Sequence, residues 1–189
     1  MFTYPIDDEL ELRLPEISDA QELFEVIRDN REHLLPFMFK PLNYHIDDIH
    51  SVGDVEPQIK DTRADYANGN AIRALIVSKG KIAGCVKAFD FNKSRGYCEL
   101  GYWLASDFAG KGVMQKACKA LMGYLFGELK MNRVEARCST RNVKSQATLE
   151  RLGFQQEGVL RNRSADESGL HDELVLSLLK DEWYKLESE

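Results

Sequence analysis

Residues 9–14 alternate polar and apolar side chains, with Leu10, Leu12 and Leu14 on one face, the period of a half-buried strand. Ser18-Asp19-Ala20-Gln21 then has the form of a capping box opening a helix whose apolar face is Leu23, Phe24, Val26 and Ile27. Residues 31–44 are mixed, and Pro36 and Pro41 interrupt any helix there. A second helix is predicted over about 54–68, closing near Gly69; its weak apolar face predicts a surface position. Runs at 71–78 and 81–89 read as strands joined at Lys79-Gly80, a hairpin signal, and residues 95–104 as a further strand. The strongest helical period lies at 113–129, where Met114, Ala117, Cys118, Leu121, Met122, Leu125 and Leu129 share a face. A strand follows at 133–138, then a short helix at 142–152 with Gly153 and Phe154 closing it. Two strands at about 155–163 and 172–179, joined by a polar loop containing Ser168-Gly169, end the pattern. The order β-α-α-β-β-β-α-β-α-β-β predicts an α/β chain with a mixed sheet and helices against it.

Composition narrows the classes. A chain of 189 residues suits one domain spanning 1–189. With 43% apolar and 30% charged residues it has ordinary globular composition, which excludes disorder as the main state. Lys plus Arg number 25 against 31 Asp plus Glu, a net charge of -6. That balance speaks against nucleic acid and mildly favours cationic partners such as amines. No run of 18 apolar residues exists, so no membrane span is expected. The acidic N-terminus has no signal-peptide apolar stretch, so a cytoplasmic location is expected. Cys85, Cys98, Cys118 and Cys138 show no CxxC spacing and sit in apolar-patterned segments, the pattern of free buried thiols. His33, His45, His50 and His171 match no zinc spacing, and no metal is expected.

The stretch that points to chemistry begins at Glu99-Leu100-Gly101-Tyr102-Trp103-Leu104 and runs through Gly110-Lys111-Gly112-Val113-Met114. A strand ends, a glycine loop follows, and the strongest helix begins. Glycines let backbone approach a ligand closely, and the first amides of a helix favour phosphate oxygens. The loop is neither a Walker loop nor GxGxxG, and Gly-x-Gly alone also fits a turn that needs glycine for geometry only.

Three blocks together resemble the GNAT family of N-acetyltransferases, in its bacterial ribosomal-protein N-terminal acetyltransferase branch. They are residues 99–104 with the Gly110-Lys111-Gly112 loop; Asn132-Arg133-Val134-Glu135 leading to Asn142-x-x-Ser145; and Glu150-Arg151-Leu152-Gly153-Phe154 followed by Glu157-Gly158-Val159-Leu160-Arg161. The resemblance covers nearly the whole chain. It implies a mostly antiparallel seven-stranded sheet splayed into a V around acetyl-CoA, with helices on both faces. The strand ending at Trp103 and Leu104 would lie along the pantetheine. The amides of Gly110, Lys111, Gly112, Val113 and Met114 would hold the pyrophosphate. The sequence departs from the family at Ala109, where Gln or Arg is usual, at Met114, where Gly or Ala is frequent, and at Leu149, where many relatives have tyrosine.

The transfer needs a neutral amine, an oxyanion donor and a leaving thiolate. A backbone amide near Trp103 is the expected oxyanion donor. Glu99 is the candidate base, or else a solvated residue or ion-pair partner. Asn142 and Ser145, three apart on the first turn of one helix, would face the pantetheine and sulfur. Ser145 is the candidate donor to the thiolate, or a helix-surface serine; Asn142 is also a preferred cap. The Trp103 side chain is more often a core residue than a ligand contact, and His33 is a candidate acceptor-site residue or a surface histidine. Acceptor recognition is expected from residues 33–40 and 163–171. The expected acceptor is a protein N-terminus, with a small amine as the alternative. A CoA-binding sensor or interaction module without catalysis is the reading from another class. A homodimer is a family-level expectation.

Overall fold

Among the described residues, 2–37, 49–166 and 169–188 of this computed structural model, eight strands and six α-helices follow one another. They are β1 (Thr3–Asp7), β2 (Leu10–Arg13), α1 (Ala20–Asp29), α2 (Arg31–Leu34), α3 (Val52–Asn68), β3 (Ile72–Ser78), β4 (Lys81–Asn92), β5 (Tyr97–Leu104), α4 (Val113–Gly127), β6 (Arg133–Ser139), α5 (Val143–Arg151), β7 (Gln155–Asp166), β8 (Gly169–Leu179) and α6 (Lys180–Glu187). The mixed α/β class is as the sequence pattern predicts and the mostly antiparallel pairing is as the resemblance implies, but the strands number eight, not the seven expected. The eighth strand is β1. Its side chains are almost all exposed, so it has no buried face to produce a period-two pattern. It turns back onto β2 where Asp7 Oδ1 accepts the Glu9 N–H at 3.0 Å.

The chain divides into two compact units: residues Met1–Lys87 with Tyr102–Val113, and Ala88–Gly101 with Met114–Glu189. In the first, β2 pairs antiparallel with β3, from Leu10↔Ser78 to Arg13↔Leu75. The first helix does not open on Ser18 and Gln21. Instead Glu16 and Asp19 form the box around a 3-10 turn, Ile17–Asp19, and Arg13 clasps both oxygens of Asp19 at 2.6 and 2.7 Å. A carboxylate bound on both sides by a guanidinium fixes the strand-to-helix corner more firmly than a hydroxyl can. The surface position expected for α3 is corrected: Val55, Ile59 and Thr62 have no exposed surface. They recur at helical spacing, and Val55 and Ile59 of this narrow stripe enter the core formed with Leu23, Ile27, Leu34 and Leu75.

In the second unit β5 and β6 are parallel, from Tyr97↔Arg133 to Leu100↔Ala136, as a crossover through α4 allows. β8 lies antiparallel to β6 and β7 antiparallel to β8. Helix α4 buries Ala117, Cys118, Leu121, Met122, Leu125 and Phe126, and ends before Leu129, which is exposed. Trp183 of α6, a helix that the sequence pattern does not predict, stacks on Phe126 with centroids 5.9 Å apart. Strands β7 and β8 extend to Asp166 and from Gly169, so most of 163–171 is hairpin strand, not loop.

Candidate active site

In the first unit, β5 ends at Leu104 and the chain passes through a 3-10 turn, Ser106–Phe108, into the glycine loop. Ala105 N donates to Ala83 O on β4 at 2.8 Å, which fixes where the loop departs. Beside it, β4 and β5 approach so closely that a Cβ at Gly84 would strike the Trp103 carbonyl. Gly110 and Gly112 hold φ of 73° and 74°, a left-handed conformation that disfavours any side chain. Where their Cβ atoms would stand, nothing lies within 4 Å. These residues fit a phosphate-bearing ligand: open backbone leads straight into the first turn of a fifteen-residue helix, α4, whose first amides lack helical partners. Lys111 is exposed, donates Nζ to Asp107 O at 2.7 Å and stands 5.9 Å from the Phe108 ring centroid. Its side chain therefore braces its own loop.

The half-buried Trp103 packs on the core of α1, α2 and α3, and Leu104 beside it is also half-buried. His33 is half-buried on α2. Residues 38–40 of the expected acceptor segment, and His45, lie outside the described residues.

In the second unit, Glu99 on β5 is 16% exposed at its side chain, and its Oε2 is 3.5 Å from Nε of Arg137 on β6. Burial raises the Glu99 carboxyl above its ordinary value; Arg137 opposes that, while Asp90, Glu135 and Glu173 add to it. A carboxyl so raised is a stronger proton acceptor than one in water. Asn142 caps α5, its side-chain oxygen accepting the Ser145 N–H at 3.1 Å. The Ser145 hydroxyl meets the Cys138 thiol: burial pushes Cys138 up to about 11, and the hydrogen bond with Ser145 pulls the other way. Successive strand residues face opposite sides. Arg137 faces Glu99, so Cys138, and Ser145 with it, belong to the other face. The two catalytic candidates are thus placed on opposite faces of β6. Met114 is buried, its sulfur 3.5 Å from Cys118 Sγ, so only its backbone can meet a ligand. Val113 is half-buried. Leu149 is 1% exposed, a core position.

The family model for the acetyltransferase (GNAT) domain matches residues 9–155. The chain belongs to the GNAT family of acetyltransferases. Over 97% of its length it is 36% identical to a Bacillus subtilis (strain 168) protein, YdaF, provisionally named a ribosomal N-acetyltransferase, of which it covers 98%. The microcin C7 self-immunity acetyltransferase MccE, solved with acetyl-CoA and AMP, is 28% identical with a TM-score of 0.84, covering 92% of this chain and 94% of that one. RimL, the ribosomal L7/L12 alpha-N-protein acetyltransferase solved with coenzyme A, superposes with a TM-score of 0.88 at 21% identity, covering 94% and 98%. As a GNAT enzyme the chain is an acetyl-CoA-dependent N-acetyltransferase.

Within this GNAT domain, sequence reasoning missed Arg137, Cys138, Gly84 and the buried Glu173. Glu173 is 7% exposed and accepts a short hydrogen bond from Ser164 Oγ. Alternation along β6 puts Arg137 beside Glu99 once the parallel register is known, but no sequence signal sets that register. At Glu173 a two-residue excess in β7 between Leu160 and Ser164 swings the hydroxyl onto the carboxylate, a bulge invisible in the pattern. Among the described residues, no helix is long and apolar enough to cross a membrane.

Proposed function

We propose that the chain, working as one domain over 1–189, moves the acetyl group of acetyl-CoA directly onto a primary amine in a ternary complex, and that the amine is the N-terminal α-amine of a ribosomal protein. The observation on which this reading rests is the buried Glu99 carboxylate, raised in proton affinity on the strand that runs into the glycine loop. Bound acetyl-CoA supplies an acetyl group activated as a thioester. Glu99 takes a proton from the incoming ammonium, directly or through water. The nitrogen lone pair then forms the new C–N bond, and a backbone amide near Trp103 stabilises the oxyanion. The C–S bond breaks at the edge of β6 beyond Ala136, where the pairing with β5 ends and both faces of β6 come within reach. As it breaks, Ser145 donates its hydroxyl proton to the sulfur, and the extra proton on the newly acylated nitrogen returns to Ser145 through water.

Direct transfer is favoured because the cysteines are poor nucleophiles. Burial pushes Cys85 and Cys138 up to about 11 and Cys98 to about 12, and raises Cys118 as well. Thiols so protonated do not form acyl-enzymes readily at neutral pH. An α-amine is the easier acceptor: near pKa 8 it is about 10% neutral at pH 7, against roughly one part in two thousand for lysine. The cofactor contacts in this reading are the amides of Gly110, Lys111, Gly112, Val113 and Met114, the strand end at Trp103 and Leu104, and Asn142 with Ser145; His33 lines the acceptor side. The enzyme acts in the cytoplasm of a bacterium. AMP in the MccE complex supports a second reading, an amine carried on a nucleotide. The test is release of CoA thiol against a panel of N-terminal peptides, aminoacyl nucleotides and small amines. Turnover confined to peptides supports the first reading, and turnover confined to nucleotide-bearing amines the second. Acetyl-CoA binding without turnover on any acceptor would leave a binding module.

A further inference from the structure

Asn30 lies at the junction of α1 and α2, is 9% exposed, and uses all its polar groups. Its N–H donates to Val26 O at 3.2 Å, and its carbonyl accepts from His33 N and Leu34 N at 3.0 Å each. Its Nδ2 donates to Val26 O at 2.9 Å. Its Oδ1 accepts the N–H of Ser106 at 2.8 Å, across 76 positions in sequence. Ser106 opens the 3-10 turn before the glycine loop, where its amide has no partner within the turn. From that point the loop is held by short local bonds: Phe108 N to Ala105 O at 3.1 Å, Ala109 N to Ser106 O at 3.0 Å and Lys111 Nζ to Asp107 O at 2.7 Å. One buried residue therefore joins the turn that leads to the loop, which its side chain holds, to the first turn of α2, on which His33 stands and which its backbone carbonyl holds.

We propose that Asn30 is a positioning residue that couples the glycine loop to α2, so that occupation of the loop tightens α2 and the acceptor side it presents. The proposal rests on assigning the glycine loop to acetyl-CoA. A buried hydrogen bond is expensive to leave unmade, so the Ser106 amide and the Asn30 amide group shift together. A ligand that orders the loop thereby orders the first turn of α2, and the second ligand then loses less conformational freedom on binding. By reciprocity, an acceptor held against α2 tightens acetyl-CoA binding by the same factor. The geometry assigns this coupling to Asn30 because its side chain and its carbonyl hold the two segments at once.

Amide hydrogen exchange with CoA as the probe tests the joint. In the parent, CoA should protect residues 110–114 and also His33 and Leu34. Asn30→Ala should bind CoA several-fold more weakly and lose the protection at His33 and Leu34 while keeping it at 110–114. Asn30→Asp retains an oxygen acceptor for the Ser106 N–H but not the donor to Val26; it should restore the protection, which a purely helix-ending role for the side chain would not. If Asn30→Ala does not fold, Asn30→Gln, whose amide is one methylene out of place, serves as the breaking variant. Equal protection of α2 in parent and breaking variant overturns the coupling, as does CoA protecting 110–114 but not α2 in the parent. No protection at 110–114 in the parent overturns the loop assignment itself, and the joint with it.

Discussion

Glu99 and Arg137 face each other from parallel neighbouring strands, Oε2 to Nε 3.5 Å apart, with the carboxylate mostly buried and the guanidinium about one-third exposed. That spacing is an ion pair without a hydrogen bond at those atoms. Glu99 thus keeps capacity to accept a proton, while Arg137 limits how far burial raises it. Glu99→Gln should leave acetyl-CoA affinity within a few-fold and reduce turnover by about 10²- to 10⁴-fold, the usual range for a positioned base. Raising the pH should restore part of the rate, because more amine is then neutral.

The same pair sets the acid side of the pH profile. Glu99 acts as carboxylate, so kcat/KM should fall as pH drops through its raised pKa. Arg137→Met removes the charge that lowers that pKa. The acid limb should therefore move to higher pH in this variant. A limb that stays in place in both Arg137→Met and Glu99→Gln assigns the titration to another group.

Gly112 tests the loop. Its φ of 74° penalises any Cβ, so Gly112→Ala should lose about 1–2 kcal/mol of stability although the space there is open. Acetyl-CoA at one hundred times its dissociation constant should stabilise the parent by about 2.7 kcal/mol. Gly112→Glu, which adds a negative charge where phosphate is expected, should abolish the thermal shift; Gly112→Ala should retain part of it. A folded Gly112→Glu protein with the parental shift moves the pyrophosphate elsewhere.

Much of this was legible because period and punctuation coincide. Helix α4 combined a broad apolar face with a glycine loop before it, and its start at Val113 matches the expectation. Asn142 was readable as a cap because its spacing to Ser145 is local. Strand β1 and helix α6 were not readable: one buries almost nothing, and the other buries Trp183 as its one fully enclosed side chain. The partners of the candidate residues were hidden for a different reason. Arg137, Cys138 and Asn30 reach their sites through register and long-range closure, which one sequence does not encode in any local pattern.

Gly84 marks such a closure. A side chain there would press into the Trp103 carbonyl and the Leu104 backbone, neither of which can rotate aside. Gly84→Ala should therefore destabilise the fold by about 1–3 kcal/mol, the range for overpacking. Because it displaces the strand end that the pantetheine is expected to follow, it should also weaken acetyl-CoA binding. Thermal melts with and without ligand separate the two effects.

Arg133 and Glu157 give the pH dependence of stability a specific test. Arg133 Nη1 donates to Glu157 Oε1 at 2.7 Å, and Ser177 Oγ donates to the same oxygen at 2.8 Å. These bonds, Arg133 first, hold the Glu157 carboxyl down at about 2. A depressed folded pKa means stabilisation present above the ordinary carboxylate value and lost as pH falls toward 2. The pair is substantially exposed, so solvent screening keeps its contribution near or below about 1 kcal/mol. Urea unfolding of Glu157→Gln should show a small deficit at pH 7 that closes as the pH is lowered. A deficit independent of pH would assign the effect to packing.

Ser145 already performs, toward a protein sulfur, the service proposed for it toward CoA. Its hydroxyl favours the thiolate of Cys138 against the burial that raises that thiol to about 11. A hydroxyl has one proton to donate, so Cys138 competes with any second sulfur. Ser145→Ala should lower kcat under conditions where chemistry limits the rate, with little change in acetyl-CoA affinity, because the Asn142 cap receives the backbone N–H and survives the substitution. Cys138→Ala removes the competitor without touching the cap; its kcat should equal or exceed the parent's. Alkylation gives an independent readout: without the hydroxyl, Cys138 should ionise at still higher pH and react more slowly at a fixed alkaline pH. Single-turnover rates decide the matter, since slow product release can mask a slower proton transfer. If Ser145→Ala matches the parent in single turnover while Cys138 alkylation slows as expected, the hydroxyl serves only the protein's own thiol, and the proton for the leaving sulfur comes from water.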